Sequence, residues 1–357
     1  MLNKLPRFCA ALPVAMAVTA GFAFSSVNVT LTATVIEIGG IGWETLDQDI
    51  MEATFGGVLN DGTNTFVNIP WPGQLGAIGE SVNLASDALY AELQNTPGPK
   101  IAVGLSGSTM AINEVMRRLA VAYAADPASV PSPADVSFMV AGDAERGIFP
   151  ALVPFFGQTI PGYNYTVQPI PVTPYDITVV KGEYDGAGDW PDRPWNLLAV
   201  ANAFAASGAF EGFGSVHFDA IFADYTTVPA KNITTAVNSA GGVTTTYIIP
   251  TDDLPILRPL IAQGVPQSTV DTLTKVLKPI VDSAYSRNDW KPASGPPPGA
   301  RLPRTAVRSG INENQVLNPT AAKATAVKAT AVKATAGRAT AGRATAVRAA
   351  ARGATTR

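Results

Sequence analysis

Cysteine is almost missing from this 357-residue sequence: Cys9 is the only one, and it lies in an apolar stretch near the amino terminus. A mature chain without that stretch would have no cysteine, which excludes disulfide scaffolds and thiolate-ligated metal centres. Histidine is equally scarce. His217 is the only imidazole, so any catalytic histidine supplied by this chain must be that one. No lysine of the Walker type follows a glycine-rich loop, and Gly39-Gly40-Ile41-Gly42 lacks the full G-x-G-x-x-G spacing. No metal, nucleotide or redox cofactor is therefore expected. Acid is absent from residues 321–357, which carry eight Lys or Arg and leave 17 basic against 28 acidic residues in the remainder. The body is acidic and the tail basic, so polyanions are partners for the tail alone, with no specific nucleic-acid site.

What is present divides the chain into four parts. Residues 1–26 read as a signal peptide or an N-terminal membrane anchor. Lys4 and Arg7 precede an uncharged apolar run over 8–24, and small residues at Val18/Ala20 and Gly21/Ala23 offer cleavage sites. Export is expected in either case, with membrane association if the segment is retained. Residues 28–290 alternate β-branched runs with helical patterns. Strands are expected at 30–38, 66–69, 100–105, 135–141 and 176–180, and helices at 81–93 and 109–124, the first of these from Val82, Leu84, Ala85, Leu89 and Leu93. A mostly helical segment follows over 254–286. Strands alternating with helices imply a mostly parallel sheet covered on both faces, a three-layer α/β sandwich. Residues 291–320 open with a Pro-rich stretch that reads as a linker. Residues 321–357 repeat KATAV, KATAV, KATAG, RATAG, RATAV. A five-residue step spreads charge around a helix and gives neither an amphipathic face nor a heptad seam, so this tail is expected to be disordered.

The chemistry is concentrated in Gly104-Leu105-Ser106-Gly107-Ser108. An apolar strand pattern precedes it and a helical one follows, the context of a nucleophile elbow, which needs small residues two positions either side of the serine. Ser106 is the candidate nucleophile. In α/β hydrolases an acid and then a histidine follow in the chain, and His217 falls in that order as the general base. The acid is sought in 177–191. Asp185, a few residues past a strand, is the first candidate and Asp189 the alternative, with Asp192 more distant. The unused acid would serve the same loop as a turn or hydrogen-bond residue. An oxyanion hole needs two N–H groups, which Gly107 and either Gly40 or Ile41 are positioned in sequence to give.

Together these segments resemble the PE-PPE domain, a mycobacterial α/β-hydrolase family akin to cutinases. The resemblance runs from about Ile36 to Asn288. It rests on GGIG, GLSGS, EYDGAGDWPDRP, VHFDAIFADY, YIIPTDDLPILRPL and VLKPIVDSAYSR, in that order. It implies a cutinase-like α/β-hydrolase fold and a serine triad acting on carboxyl esters, matched here to Ser106, Asp185 or Asp189, and His217. Family members usually carry a PE or PPE module ahead of the domain, whereas this chain has a signal-like segment. It is similar to envelope-located members that move acyl chains onto trehalose glycolipids. Two departures stand out: Ile41 replaces the hydroxyl residue of a GGTG turn, and Gly107-Ser108 replaces the QG of a GYSQG elbow.

Three functions follow as expectations. The first is a serine esterase acting on acyl lipids through an acyl-enzyme. The second is an acyltransferase using a trehalose-type acceptor. The third, of another class, is an inactive envelope adhesion module. The basic tail would add an anionic glycolipid or glycan as partner, and the location would be the cell envelope or the exterior.

Overall fold

The computed structural model describes residues 32–207 and 215–289. The expected export segment, linker and basic tail lie outside the described residues. The first half of the domain runs β1 (Thr34–Ile38), α1 (Gln48–Ala53), β2 (Thr65–Asn68), α2 (Ile78–Asn95), β3 (Lys100–Leu105), α3 (Thr109–Ala125) and β4 (Val136–Ala141). There follow α4 (Ile148–Phe156), the two-residue strands β5 (Thr159–Ile160) and β6 (Tyr165–Thr166), β7 (Asp176–Gly182), α5 (Leu197–Ala206) and α6 (Val216–Ile221). The described chain closes with β8 (Ile233–Val237), β9 (Val243–Ile249), α7 (Arg258–Ala262) and α8 (Gln267–Asp282).

Seven strands make one sheet in the order β2-β1-β3-β4-β7-β9-β8, and only the β8–β9 pair is antiparallel. The central strands β3 (KIAVGL) and β4 (VSFMVA) are buried along their whole length. A strand covered on both faces has no polar side to show, which is why these runs are continuously apolar. Against one face, Ile36, Ile38, Phe138 and Val140 meet the buried residues of α2 and α3. Against the other, Val35, Val103, Met139 and Val180 meet Met51 of α1 and Ile221 of α6. A third cluster joins α5 and the start of α6 to Leu257, Val270 and Val281 of the C-terminal helical segment. The protein is thus an α/β sandwich of three layers around a mostly parallel sheet.

Local differences from expectation have simple causes. Leu84 is half exposed, because α2 buries Ile78, Val82, Ala85, Leu89 and Leu93, a stripe that leaves Leu84 outside. The β8–β9 hairpin extends the sheet by two strands beyond those expected from the sequence. Its β-branched runs, ITTAV and VTTTYII, flank the turn-forming Asn238–Gly242.

This topology fixes where a site can form. From β1 the chain moves outward to β2, then returns to place β3 on the other side of β1. The carboxyl ends of β1 and β3 therefore lie at a switch point, where adjacent connections part and leave a crevice. Gly39-Gly40 follows β1 there, and Ser106 follows β3.

Candidate active site

Ser106 sits at the turn between β3 and the helical run that becomes α3, with φ of 53°. For a residue with a Cβ that backbone costs about 1–2 kcal/mol, and the sharp turn lifts Oγ off the sheet edge. The turn works because its neighbours are small. A Cβ on Gly104 would lie 2.4 Å from the Ile112 side chain. Ser108 fills the corresponding position on the far side and is fully buried. Its hydroxyl donates to the Ile38 carbonyl at 2.8 Å and accepts from the Leu105 N–H at 2.9 Å. The departure from glycine at this position therefore ties the end of β1 to the elbow.

His217 enters from α6, whose first turn is capped by the Ser215 hydroxyl. Its Nε2 lies 2.8 Å from Ser106 Oγ. Its Nδ1 lies 2.9 Å from Asp185 Oδ2 and 3.1 Å from Oδ1. Asp185 is completely buried in the turn that follows β7, where it accepts the N–H groups of Ala187 at 2.9 Å and Gly188 at 3.1 Å. The backbone donors leave the carboxylate one orientation, and that orientation faces the imidazole. Burial acts to raise the Asp185 pKa, but the His217 charge, its hydrogen bond and the two N–H donors outweigh burial and hold it below the ordinary carboxylate value. Burial likewise presses the His217 pKa down, and the Asp185 charge and hydrogen bond overcome it, so the net shift is upward.

Asp189 lies elsewhere. It is buried and accepts the Tyr184 N–H at 2.9 Å, and it pairs with Lys181 at 2.9 Å and Arg287 at 2.8 Å. It braces the loop that carries Asp185. Asp192 accepts the N–H and hydroxyl of Ser286, both at 2.6 Å, and so ties the same loop to the C-terminal segment.

Ile41 and Gly107 are neighbours: a Cβ on Gly107 would come within 2.5 Å of the Ile41 side chain. Gly40 is beside Ser106, with its Cβ position 3.3 Å from that of the serine. Gly107 belongs to the first turn of a helix, where N–H groups have no intrahelical acceptor and the helix end favours negative charge. Trp43 and Phe218 pack with their rings tilted by 37° and 5.7 Å between centroids, and Phe218 also meets the His217 ring edge-on. Phe218 is 42% exposed, so an apolar wall stands open beside the imidazole.

Sequence reasoning missed Gly142, which follows β4 with φ of 68° and lies directly beneath the His217 ring. A small residue at the carboxyl end of a central strand was the available signal. A cavity of about 500 Å3 lies beside α6, lined by Val216, Asp219, Ile249, Thr251, Asp253 and Arg258, and Ser106 is not part of its lining. Among the described residues no group of three or more His, Cys, Asp or Glu is arranged to hold a metal, and no helix is long and apolar enough to cross a membrane.

Comparison with known proteins gives this arrangement a family. The PE-PPE domain matches residues 64–286. The SL1278 acyltransferase Chp1 of Mycobacterium tuberculosis is 37% identical over 209 residues, covering 58% of this chain and 49% of Chp1. The diacyltrehalose acyltransferase Chp2 of the same organism is 36% identical over 245 residues, covering 65% of this chain and 64% of Chp2. The esterase PE16, also from M. tuberculosis, is 30% identical over 207 residues, covering 57% of this chain and 36% of PE16. The chain thus spans between about a third and two thirds of the length of these relatives. With a domain match over well more than half its length and the α/β architecture described above, the chain belongs to the PE-PPE domain family of α/β-hydrolase-like proteins.

Proposed function

We propose that the chain is an acyl-ester enzyme that works through a serine-bound acyl intermediate. The observation that carries this reading is the unbroken relay from Ser106 Oγ through His217 to Asp185, at 2.8 and 2.9 Å, at the switch point of the sheet. His217 Nε2 takes the hydroxyl proton as Ser106 attacks the ester carbonyl, and Asp185 holds Nδ1–H and stabilises the imidazolium. The N–H of Gly107, with that of Gly40 or Ile41, receives the negative charge of the tetrahedral intermediate. His217 then passes its proton to the departing alkoxide. Water, or a second alcohol activated by the same imidazole, attacks the acyl-Ser106 carbonyl and frees the enzyme. The apolar wall of Trp43 and Phe218 suits an acyl chain.

Hydrolysis of acyl-lipid esters is the first reading. Transfer of the acyl group to a sugar hydroxyl of a trehalose-type glycolipid is the second, favoured by the relatives at 36–37% identity whose names specify acyltransferases. We place the enzyme outside the cytoplasm, in the cell envelope, on the strength of its signal-like 1–26 segment. The test is labelling by a fluorophosphonate together with turnover of a soluble p-nitrophenyl ester. Ser106→Ala should abolish both, with turnover falling by roughly three orders of magnitude or more. A folded Ser106→Ala protein that keeps a tenth of the activity removes Ser106 from the chemistry. A wild-type protein that neither labels nor turns over ester leaves the inactive binding module. Product analysis with and without trehalose then separates hydrolysis from transfer.

A further inference from the structure

Behind the relay lies a set of buried charges that the chemistry above does not use. Asp143 and Glu145, each 1% exposed, and fully buried Asn113 are its centre. Asp143 Oδ1 accepts the Glu145 N–H at 3.0 Å and lies 3.3 Å from the Thr109 hydroxyl. Its Oδ2 accepts Asn113 Nδ2 at 3.0 Å and a guanidinium N–H of Arg146. Asn113 is fully committed. Its amide nitrogen also donates to Glu145 at 2.8 Å, while its oxygen accepts from Arg146 at 2.7 Å. Glu145 is further held by Arg117 at 2.9 Å and Tyr165 at 2.6 Å. Burying this many charges is costly unless each is met by a partner, and none of these groups touches Ser106 Oγ or His217.

The position of Asp143 accounts for the arrangement. It stands where the three segments carrying the relay converge. The Thr109 hydroxyl lies between two acceptors: its one proton goes to the Ser106 carbonyl at 2.6 Å, and its oxygen packs 3.3 Å from the Asp143 carboxylate, so Asp143 adjoins the backbone of Ser106 through one side chain. Its preceding residue, Gly142, supports the His217 ring so closely that a Cβ there would lie 2.3 Å from Cε1. The turn holding Asp185 touches the same step: the Cβ position of Gly188 is 3.0 Å from Gly142 Cα, 3.2 Å from the Asp143 nitrogen and 3.0 Å from Asp185 Oδ2. Glu145 shares Asn113, but its side chain is directed to Arg117 further along α3 and to Tyr165, and it bonds none of Ser106, His217 and Asp185.

We infer that Asp143 is a positioning residue, whose buried carboxylate fixes the Gly142–Asp143 step and thereby sets nucleophile, base and acid at hydrogen-bonding distance. The inference rests on the acyl-ester reading, so turnover that depends on Ser106 is established first. In Asp143→Asn an amide NH2 replaces one oxygen of a carboxylate that accepts from Glu145 N–H on one side and from Asn113 and Arg146 on the other. The step shifts, and the His217 ring shifts with it. For displacements approaching 1 Å the expected loss in kcat is roughly 10- to 100-fold, with KM held within about a factor of two. The pH inflexion of kcat/KM should fall towards that of an ordinary histidine, because the ring loses contact with Asp185. Thr109→Val removes only the hydroxyl between Asp143 and the elbow, and should lower kcat several-fold without unfolding the protein. Glu145→Gln, similarly buried, should lower Tm while leaving kcat and the inflexion unchanged. The inference is overturned, with the acyl-ester reading intact, if folded Asp143→Asn keeps the wild-type kcat and inflexion. It is equally overturned if Glu145→Gln reproduces the loss in both. Should Asp143→Asn fail to fold, an unchanged kcat in Thr109→Val overturns it.

Discussion

Gly142→Ala tests the site at a residue that takes no part in the chemistry. The added methyl would lie 2.3 Å from His217 Cε1 and 2.7 Å from Nδ1. Carbon atoms rest against one another at about 3.5 Å, so the imidazole must retreat by roughly 1 Å. It has no slack for that movement, since it spans 2.8 Å to Ser106 and 2.9 Å to Asp185. At least one of the two hydrogen bonds is lost, and a misplacement of about 1 Å costs on the order of a hundredfold in rate. The backbone adds its own penalty: φ of 68° is free to glycine but costs alanine about 1–2 kcal/mol. In a domain of this size that lowers Tm by roughly 2–8 °C, a loss that leaves the protein folded at 25 °C. The assay is kcat and KM on a p-nitrophenyl ester, with thermal unfolding followed by circular dichroism. A folded Gly142→Ala enzyme with kcat within about threefold of wild type would refute the placement of the imidazole on this glycine.

Three further expectations concern charge. Because the Asp185 charge holds His217 above its ordinary value and only the neutral ring accepts the Ser106 proton, kcat/KM should rise with pH through an inflexion above about 6.5. An inflexion at or below that value contradicts the pairing. Stability runs the other way: the histidine's share is present below its unfolded pKa and is lost as pH rises through the folded one. Asp189→Asn should cost about 3 kcal/mol, seen in urea unfolding, by leaving Lys181 and Arg287 without their buried partner. Its kcat at low temperature should stay within an order of magnitude of wild type, whereas Asp185→Asn should lose far more; equal losses would refute the division of roles. Finally, a chain ending at Asn318 should lose retention on heparin or anionic vesicles at low salt, since each of the eight tail charges contributes about 1 kcal/mol or less near an anionic surface. Equal retention of both forms dismisses the tail as a binding element.

The parts of the site that were legible in the sequence are those in which local chemistry and local conformation coincide. Lys100–Leu105 is apolar on both faces and is followed at once by a helical pattern, so the strand, the turn and Ser106 could be read together. His217 could be read because no other histidine competes with it. Asp185 and Asp189 were harder, since both follow the same strand within a few residues and both are buried. What distinguishes them is non-local: the Ala187 and Gly188 N–H groups turn Asp185 towards α6, while Lys181 and Arg287, one before the loop and one far beyond it in sequence, claim Asp189. Gly142 and Asp143 were invisible for a related reason. Their importance lies in what other elements bring to them, His217 from α6 to Gly142 and Thr109 and Asn113 from α3 to Asp143, and no pattern within Val136–Ala141 announces those contacts.

On the proposed acyl-ester mechanism, the fate of the acyl group is set by competition between two nucleophiles. Water is present at about 55 M, whereas an alcohol bound in attacking position reaches effective molarities on the order of 10^5 M or more. Transfer therefore prevails once a sugar hydroxyl is held beside the acyl-Ser106 carbonyl, even when water has access. Exclusion of water is not required; a subsite for the acceptor is. Such a subsite must adjoin Ser106 on a side left free by the acyl chain. If the chain lies along Trp43 and Phe218, next to His217, the acceptor approaches from the opposite rim. On that geometry the ratio of transfer to hydrolysis should rise with acceptor concentration and then saturate, as occupancy of a site does. A purely linear rise would mean that the sugar competes with water as a solute, and the enzyme would then be a hydrolase that tolerates alcohols.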